Sequence, residues 1–271
     1  MPVNKTVKML AAICLVCICL LFPTGCSSGY DDNPIEQRET LMQVSTIGAL
    51  MDGFYDRVID VGELKEYGDF GIGTFEGLDG EMVVLDGECY QVKTDGAAYV
   101  VDDSTGVPFA DVTFFDSDLE MEIAAGTDYD QLQAVLNDIL PTENIFYAFR
   151  IEGTFSYMQT RSVPGQQKPY PPLVDVAAEQ AVFDFNNVAG TIVGFYCPQY
   201  ASGIGVAGYH LHFLTEGLDA GGHILGFTVA QATALVDYTP QMLLILPEGD
   251  SDFYALDLSG DDQKEIEEVE R

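Results

Sequence analysis

Apolar residues recur at three- and four-residue steps near the start of the chain, from Glu39 to Tyr55. Spacings of this kind place apolar side chains on one face of a helix, so the segment is predicted to form an amphipathic helix. The apolar positions are Leu41, Val44, Ile47, Met51 and Phe54.

Two further helices are predicted downstream. Residues 128 to 140 show the helical period, with Thr127 or Asp128 as the N-cap and Pro141 as the stop. A short helix is predicted near Val174 to Phe183, after a proline-rich loop.

Most of the other apolar runs are short and are separated by glycine-rich turns, which is typical of hairpins. Examples are "GDFGIGTFEGLDGEMVVLDGECYQV" and, in the last third, "GTIVGFYCP", "GYHLHFL" and "GGHILGFTVA". The pattern predicts an α+β fold in which mixed or antiparallel sheets dominate and helices are few. We expect one unit of two lobes, residues 39–170 and 171–271, with the site chemistry on strands of the second lobe.

The first residues are typical of an export signal. Lys5 and Lys8 precede an uncharged run from Met9 to Phe22, which is short for a membrane span but suits a signal-peptide core. The segment "PTGCSS" around Cys26 resembles a lipoprotein cleavage site, although Pro23 stands where such sites usually carry leucine. We therefore expect residues 1–25 to be a signal peptide and residues 26–38 a tether. The protein is expected outside the cytoplasmic membrane, anchored by lipid on Cys26 or else secreted.

Charge excludes some partners. The chain has 44 acidic and 11 basic residues, and two of the lysines lie in residues 1–25, so the mature chain has 44 against 9 and a formal charge of −35. Nucleic acid and anionic membrane surfaces are therefore excluded as partners, apart from the lipid anchor. A saline habitat and an ordinary acidic secreted protein both explain this charge. Cys89 and Cys197 are the cysteines of the folded part, and their pairing is left open.

All three histidines of the chain fall within fifteen consecutive residues, "YHLHFLTEGLDAGGH". His210 and His212 lie two apart in a strand-like run, so their side chains leave the same face of a sheet. A glycine-rich turn then brings His223 onto the neighbouring strand. Three clustered neutral imidazoles are typical of a zinc site with open coordination positions, whereas isolated histidines are more often satisfied core residues.

The spacing alone does not name a reaction. "HLHFLTE" also approximates the metal motif of cupins, with Glu216 in the place of their glutamate, but the later glycine and histidine spacings fit cupins poorly. A cupin-like metalloenzyme with another reaction and a non-catalytic metal- or ligand-binding surface lipoprotein are therefore kept as alternatives.

Several long segments together resemble one family. "QVSTIGALMDGFYD", "TRSVPGQQKPYPPL", "GTIVGFYCPQYASGIGVAGYHLHFLTE" and "AGGHILGF", with the hairpin segment above, look like successive blocks of the acetolactate decarboxylases. They run in that family's order over residues 43 to 227. The resemblance implies a lyase that converts 2-acetolactate to acetoin and CO2 in acetoin and butanediol metabolism. The family tends to form homodimers, and the oligomeric state of this chain is left open.

The resemblance further implies a set of site residues. The zinc ligands would be His210, His212, His223 and Glu81, while Arg161 would approach the substrate carboxylate and Thr74 would line the site. The family also uses a glutamate of its C-terminal end. Glu270 matches best, but Glu267 and Glu268 stay open, and by composition alone this acidic end is a solvated, frayed terminus.

Overall fold

A computed structural model of the protein describes residues 37–249, 251–260 and 263–270. The predicted signal peptide, Cys26 and the tether as far as residue 36 lie outside these residues. The described strands are β1 (Thr40–Val44), β2 (Ile59–Asp60), β3 (Phe70–Thr74), β4 (Glu81–Leu85), β5 (Glu88–Val92), β6 (Ala98–Val100), β7 (Gly106–Val107), β8 (Phe109–Thr113), β9 (Leu119–Ile123), β10 (Phe146–Ser162), β11 (Ala181–Cys197), β12 (Gly208–Thr215), β13 (Gly221–Thr239) and β14 (Gln241–Ile245). The described helices are α1 (Ile47–Met51), α2 (Val61–Leu64), α3 (Tyr129–Ile139), α4 (Leu173–Ala177) and α5 (Gln263–Glu270).

Seven strands form the first main sheet, in the order β14-β1-β8-β3-β4-β5-β6. Its neighbours are antiparallel except for β1 and β14, which are parallel. Strands β1, β3, β4 and β8 are buried on both faces. One face packs on the second sheet through Leu41, Ile72 and Val83, and the other covers an apolar cluster that includes Met42 and Val84. A strand buried on both faces has a continuous apolar sequence, as in "EMVVL".

The second main sheet closes on itself. Its order is β10-β11-β12-β13-β9, and β10 also pairs with β13. Aromatic and aliphatic side chains fill the interior, and along β12 these are Tyr209, Leu211 and Phe213. The alternate residues of β12 point outward to the first sheet, where Leu214 joins the cluster between the sheets. His210 and His212 share that outward face.

The predicted helix from residue 39 to residue 55 is wrong over its first half. Residues 40–44 form β1, which pairs with β8 and β14, and the helical part is only α1. Ser45 separates the two with a φ of 57°, and Thr46 caps the helix by accepting a hydrogen bond from the Ala49 amide. Residues 40–51 are all buried except the half-buried Thr46. Apolar residues are therefore required on both faces, and a helical spacing among them is incidental.

The second predicted helix is confirmed as α3. Asp128 is its N-cap in a reciprocal capping box with Gln131, and the helix ends before Pro141. The third prediction is partly wrong, because α4 ends at Ala177 and β11 begins at Ala181.

The sheet-dominated α+β class is confirmed. The described residues belong to one compact unit. The predicted lobe boundary between residues 170 and 171 does not separate the sheets, since β10 pairs with β11 and β14 pairs with β1 across it. Among the described residues, Cys89 and Cys197 are both buried and unpaired. No described helix is long and apolar enough to cross a membrane.

Asp111 is a buried carboxyl between the two sheets. It lies on β8 opposite Gln43, and its Oδ1 is buried without a hydrogen-bond partner. Burial raises its pKa from 3.8 to about 7. Below about pH 4 the proton is held in the folded and the unfolded chain alike. As the pH rises from about 4 to about 7, the unfolded chain has lost the proton while the folded chain still holds it, so the free energy of unfolding falls over this range.

Asp111→Asn is therefore expected to stabilise the fold at pH 8 by about 2–4 kcal/mol, since three pKa units correspond to about 4 kcal/mol. The gain should disappear near pH 4. Denaturant unfolding at both pH values measures it, with the exposed Asp138→Asn on α3 as control. An equal gain at both pH values would contradict this account of the Asp111 carboxyl.

Candidate metal centre

The three imidazoles meet on the outer face of the closed sheet. His210 and His212 are two residues apart on β12, and His223 of β13 stands directly opposite His212 in the register. The ring centroids are 5.0 to 5.3 Å apart, and the available nitrogens all lie within 4.8 Å of one another. The predicted convergence of the histidines on neighbouring strands is confirmed.

The imidazoles are buried, and most of their ring nitrogens make no hydrogen bond. His212 Nδ1 lies 2.8 Å from the backbone oxygen of Met82 and donates to it, which leaves Nε2 with a free lone pair. Neither nitrogen of His210 or of His223 makes a hydrogen bond of good geometry, although Glu270 Oε2 approaches His210 Nε2 to 3.2 Å and His223 Nδ1 to 3.6 Å. Buried nitrogens of this kind normally have one. A bound metal ion satisfies such lone pairs.

Burial also keeps the rings neutral. It lowers the pKa of His210 to about 3, with Arg161 adding to the effect, and it lowers the pKa values of His212 and His223 well below their ordinary range. Neutral imidazole is the form that binds a metal.

Glu81 faces the histidines from the first sheet, at the start of β4. Its Oε2 is 3.8 Å from His212 Nε2, and its Oε1 accepts a hydrogen bond of 3.0 Å from Arg161 Nη1. The side chains of Arg161 and Glu81 are only 3% and 7% exposed. Burial raises the pKa of Glu81 to about 7 although Arg161 acts to lower it. The site therefore lies between the two main sheets and takes residues from both.

The C-terminal helix brings Glu270 into this cluster. Glu270 Oε2 is 3.2 Å from His210 Nε2, 3.5 Å from Arg161 Nη2 and 3.6 Å from His223 Nδ1. Arg161 Nη2 also donates to the Val269 carbonyl at 3.0 Å. Burial raises the pKa of Glu270.

The other tail carboxylates stay in solvent. Glu267 and Glu268 are exposed, while Ile266 and Val269 pack against Leu50 and Leu173. The expectation from composition of a solvated end is therefore wrong for α5, whose inner face is buried.

Thr74 stands next to Glu81 across β3 and β4. Its hydroxyl donates to the Gly80 carbonyl at 2.7 Å, so its hydrogen is used within the protein. An apolar wall, which the sequence reasoning missed, lines the same small cavity: Leu50, Leu78, Phe109, Val163 and Leu173. Leu50, Leu78, Val163 and Leu173 lie in the segments that carry the family resemblance, whereas Phe109 lies outside them.

Glu216, the residue behind the cupin alternative, does not join the site. It is exposed just after the end of β12 and does not join His210, His212 and His223, the described group whose ligand atoms lie within 4.8 Å of one another. The cupin-like alternative therefore lacks the glutamate of its metal motif.

The side chains present fit a zinc ion. Three neutral imidazoles and a carboxylate are ligands that zinc prefers. A buried guanidinium beside them suits a substrate carboxylate, because its planar fork matches the two oxygens.

Comparisons with known proteins agree on one family. The family model for alpha-acetolactate decarboxylase matches residues 41–260. An alpha-acetolactate decarboxylase of Methanosarcina mazei is 48% identical over 233 residues, which cover 86% of this chain and 81% of that protein. One from Bacillus subtilis is 43% identical over 245 residues, or 90% of this chain and 94% of that protein. The crystal structure of alpha-acetolactate decarboxylase from Bacillus subtilis strain 168 matches with a TM-score of 0.83 and 44% identity, covering 85% of this chain and 99% of that one.

Proposed function

The chain belongs to the alpha-acetolactate decarboxylase family, and we propose that it converts 2-acetolactate to acetoin and CO2 with a zinc ion held by His210, His212, His223 and Glu81. The observation that carries the metal proposal is the set of buried imidazole nitrogens without hydrogen-bond partners. Zinc held there would supply a Lewis acid for the keto and hydroxyl oxygens of the substrate.

Arg161 is proposed to bind the substrate carboxylate. Its guanidinium is buried, and its Nε has no hydrogen-bond partner. The carbon–carbon bond to the carboxylate breaks, CO2 leaves, and the electron pair stays on the substrate as an enediolate. The apolar wall of Leu50, Phe109 and Leu173 suits the two methyl groups of the substrate and excludes water.

Glu270 is proposed to supply the proton that completes acetoin. Its carboxyl lies among the histidines and Arg161, and burial favours its protonated form. The proton passes from the Glu270 carboxyl to the enediolate carbon on one face. A proton from solvent then returns to Glu270, so each turnover consumes one acetolactate anion and one proton and yields acetoin and CO2.

The purified zinc-loaded protein should release acetoin and CO2 from 2-acetolactate in equal amounts. Acetoin formation measured against a no-enzyme control tests the reaction, because acetolactate also loses CO2 slowly without a catalyst. Release at the background rate would overturn the proposed function.

Export and lipid anchoring through Cys26 are also part of the proposal. They rest on the basic start, the apolar run and the "PTGCSS" segment. The wild-type protein is expected in the membrane fraction of intact cells, and Cys26→Ser in the soluble fraction. An unmodified mature N-terminus in mass spectrometry would instead indicate simple secretion. A homodimer, proposed from the family alone, is tested by light scattering.

A further inference from the structure

Two buried hydroxyls flank Arg161 on β10. Thr160 and Ser162 are both fully buried. The Thr160 hydroxyl donates to the Gly221 carbonyl at 2.6 Å, and the Ser162 hydroxyl donates to the Val92 carbonyl at 2.8 Å. The residue between them carries the guanidinium of the site.

The two acceptors belong to the two opposite walls of the metal centre. Gly221 precedes His223 by two residues and pairs with Leu214, two residues after His212. It therefore belongs to the hairpin that carries the histidines. Val92 pairs directly with Glu81 across β4 and β5, so it belongs to the wall that carries the carboxylate.

The walls come from different sheets. Near the site, the sheets are in contact largely through apolar side chains such as Val83, Val193 and Leu214. The polar links between them include His212 to the Met82 carbonyl and Arg161 to Glu81. Apolar contacts are not directional and allow small sliding shifts, whereas a hydrogen bond of 2.8 Å fixes both distance and direction. Glu81 and the histidines must be held to a fraction of an ångström to share one ion.

We propose that Thr160 and Ser162 are positioning residues that fasten the Arg161 strand to both walls and so hold Glu81, Arg161 and the histidines in register. The inference rests on the proposed zinc site. Neither hydroxyl contacts the substrate in this role, because both act through the backbone carbonyls of Gly221 and Val92.

We expect the effects that follow when a hydrogen bond holding a metal ligand in place is removed. Removing such a support typically weakens metal affinity or activity about 10- to 100-fold. Ser162→Ala should lower zinc affinity and kcat/KM within that range, and Thr160→Val should do the same. Ser162→Thr and Thr160→Ser keep the hydroxyl and should recover most of both quantities.

Ser156 provides a matched control. It lies on the same strand, and its exposed hydroxyl donates to the Thr228 carbonyl at 3.1 Å, away from the site. Ser156→Ala should leave zinc affinity and kcat/KM at the wild-type values. Its thermal midpoint gives the cost of losing a strand-to-strand hydroxyl bond without the positioning role.

The experiment measures three quantities for each full-length variant: zinc affinity by chelator competition, kcat and KM, and the thermal midpoint. Loss of zinc affinity and kcat/KM in Ser162→Ala, with recovery in Ser162→Thr, supports the proposal. A lowered midpoint with unchanged zinc affinity and kcat/KM means that the hydroxyls only stabilise the fold, and overturns it. If Ser162→Ala does not fold, the Thr160→Val and Thr160→Ser pair decides in the same way.

Failure of the proposed function would look different. In that case the wild type would show no acetolactate decarboxylation. Ser162→Ala and Thr160→Val would still bind zinc more weakly than the wild type. Equal zinc affinity in wild type, Ser162→Ala and Thr160→Val would overturn the positioning role whatever the reaction is.

Discussion

Replacing His212 by alanine is expected to remove zinc binding and to reduce acetoin formation by about a thousandfold or more. A bound metal ion supplies several kcal/mol of transition-state stabilisation, and each 1.36 kcal/mol is a factor of ten in rate. His212 is the centre of the proposed ligand set. It stands opposite His223, lies two residues from His210 and is the histidine nearest Glu81, and its ring is oriented by the Met82 carbonyl.

The measurement combines elemental analysis with steady-state kinetics. Removing zinc from the wild type with a chelator should produce the same loss, and adding zinc should restore the wild type but not His212→Ala. Glu216→Ala is the matched control, because Glu216 is exposed just beyond the same strand. Full activity in metal-free wild-type protein would sink the metal assignment.

Glu270→Gln is expected to lower kcat by about 10² to 10⁴-fold, the usual contribution of a general acid. Glutamine keeps the shape of the side chain but has no proton to donate to the substrate carbon. Zinc content and thermal midpoint should stay near the wild-type values, because Ile266 and Val269 still pack against Leu50 and Leu173.

The neighbouring carboxylates supply the controls. Glu267 and Glu268 lie on the same helix but are exposed, so Glu267→Gln and Glu268→Gln should keep the wild-type kcat. Deletion of α5 is a poorer test, since it also uncovers the apolar residues beneath the helix. A wild-type kcat in Glu270→Gln would contradict this role and would mean that water or another group donates the proton.

The C-terminal helix α5 contains a site residue that its sequence indicates only in part. Ile266 and Val269 are three residues apart, and Glu270 is four residues after Ile266, so a helix places all three on one face. The positions of the apolar residues therefore favour Glu270 over Glu267 and Glu268. Its burial depends on the apolar surface formed by Leu50, Leu173 and Val176, which local spacing does not reveal.

The first predicted helix failed for a related reason. Periodicity detects a segment with one buried face, whereas β1 is covered on both faces because the closed sheet packs against the first sheet. In α3 the period was informative, since that helix has one buried side through Leu132 and Leu136 and a capping box in its own sequence.

The identity and convergence of the histidine donors follow from local features of the chain. His210, His212 and His223 converge because residues two apart on a strand share a face and a short turn returns the chain to its neighbour, which are local properties. Glu81, Arg161 and Glu270 join the histidines through contacts between segments that are distant in the sequence. Glu81 reaches the histidines across two packed sheets, Arg161 through the pairing of β10 with β13, and Glu270 through the docking of a helix. Contacts between distant segments depend on how whole sheets and helices pack, and no local pattern of residues specifies that.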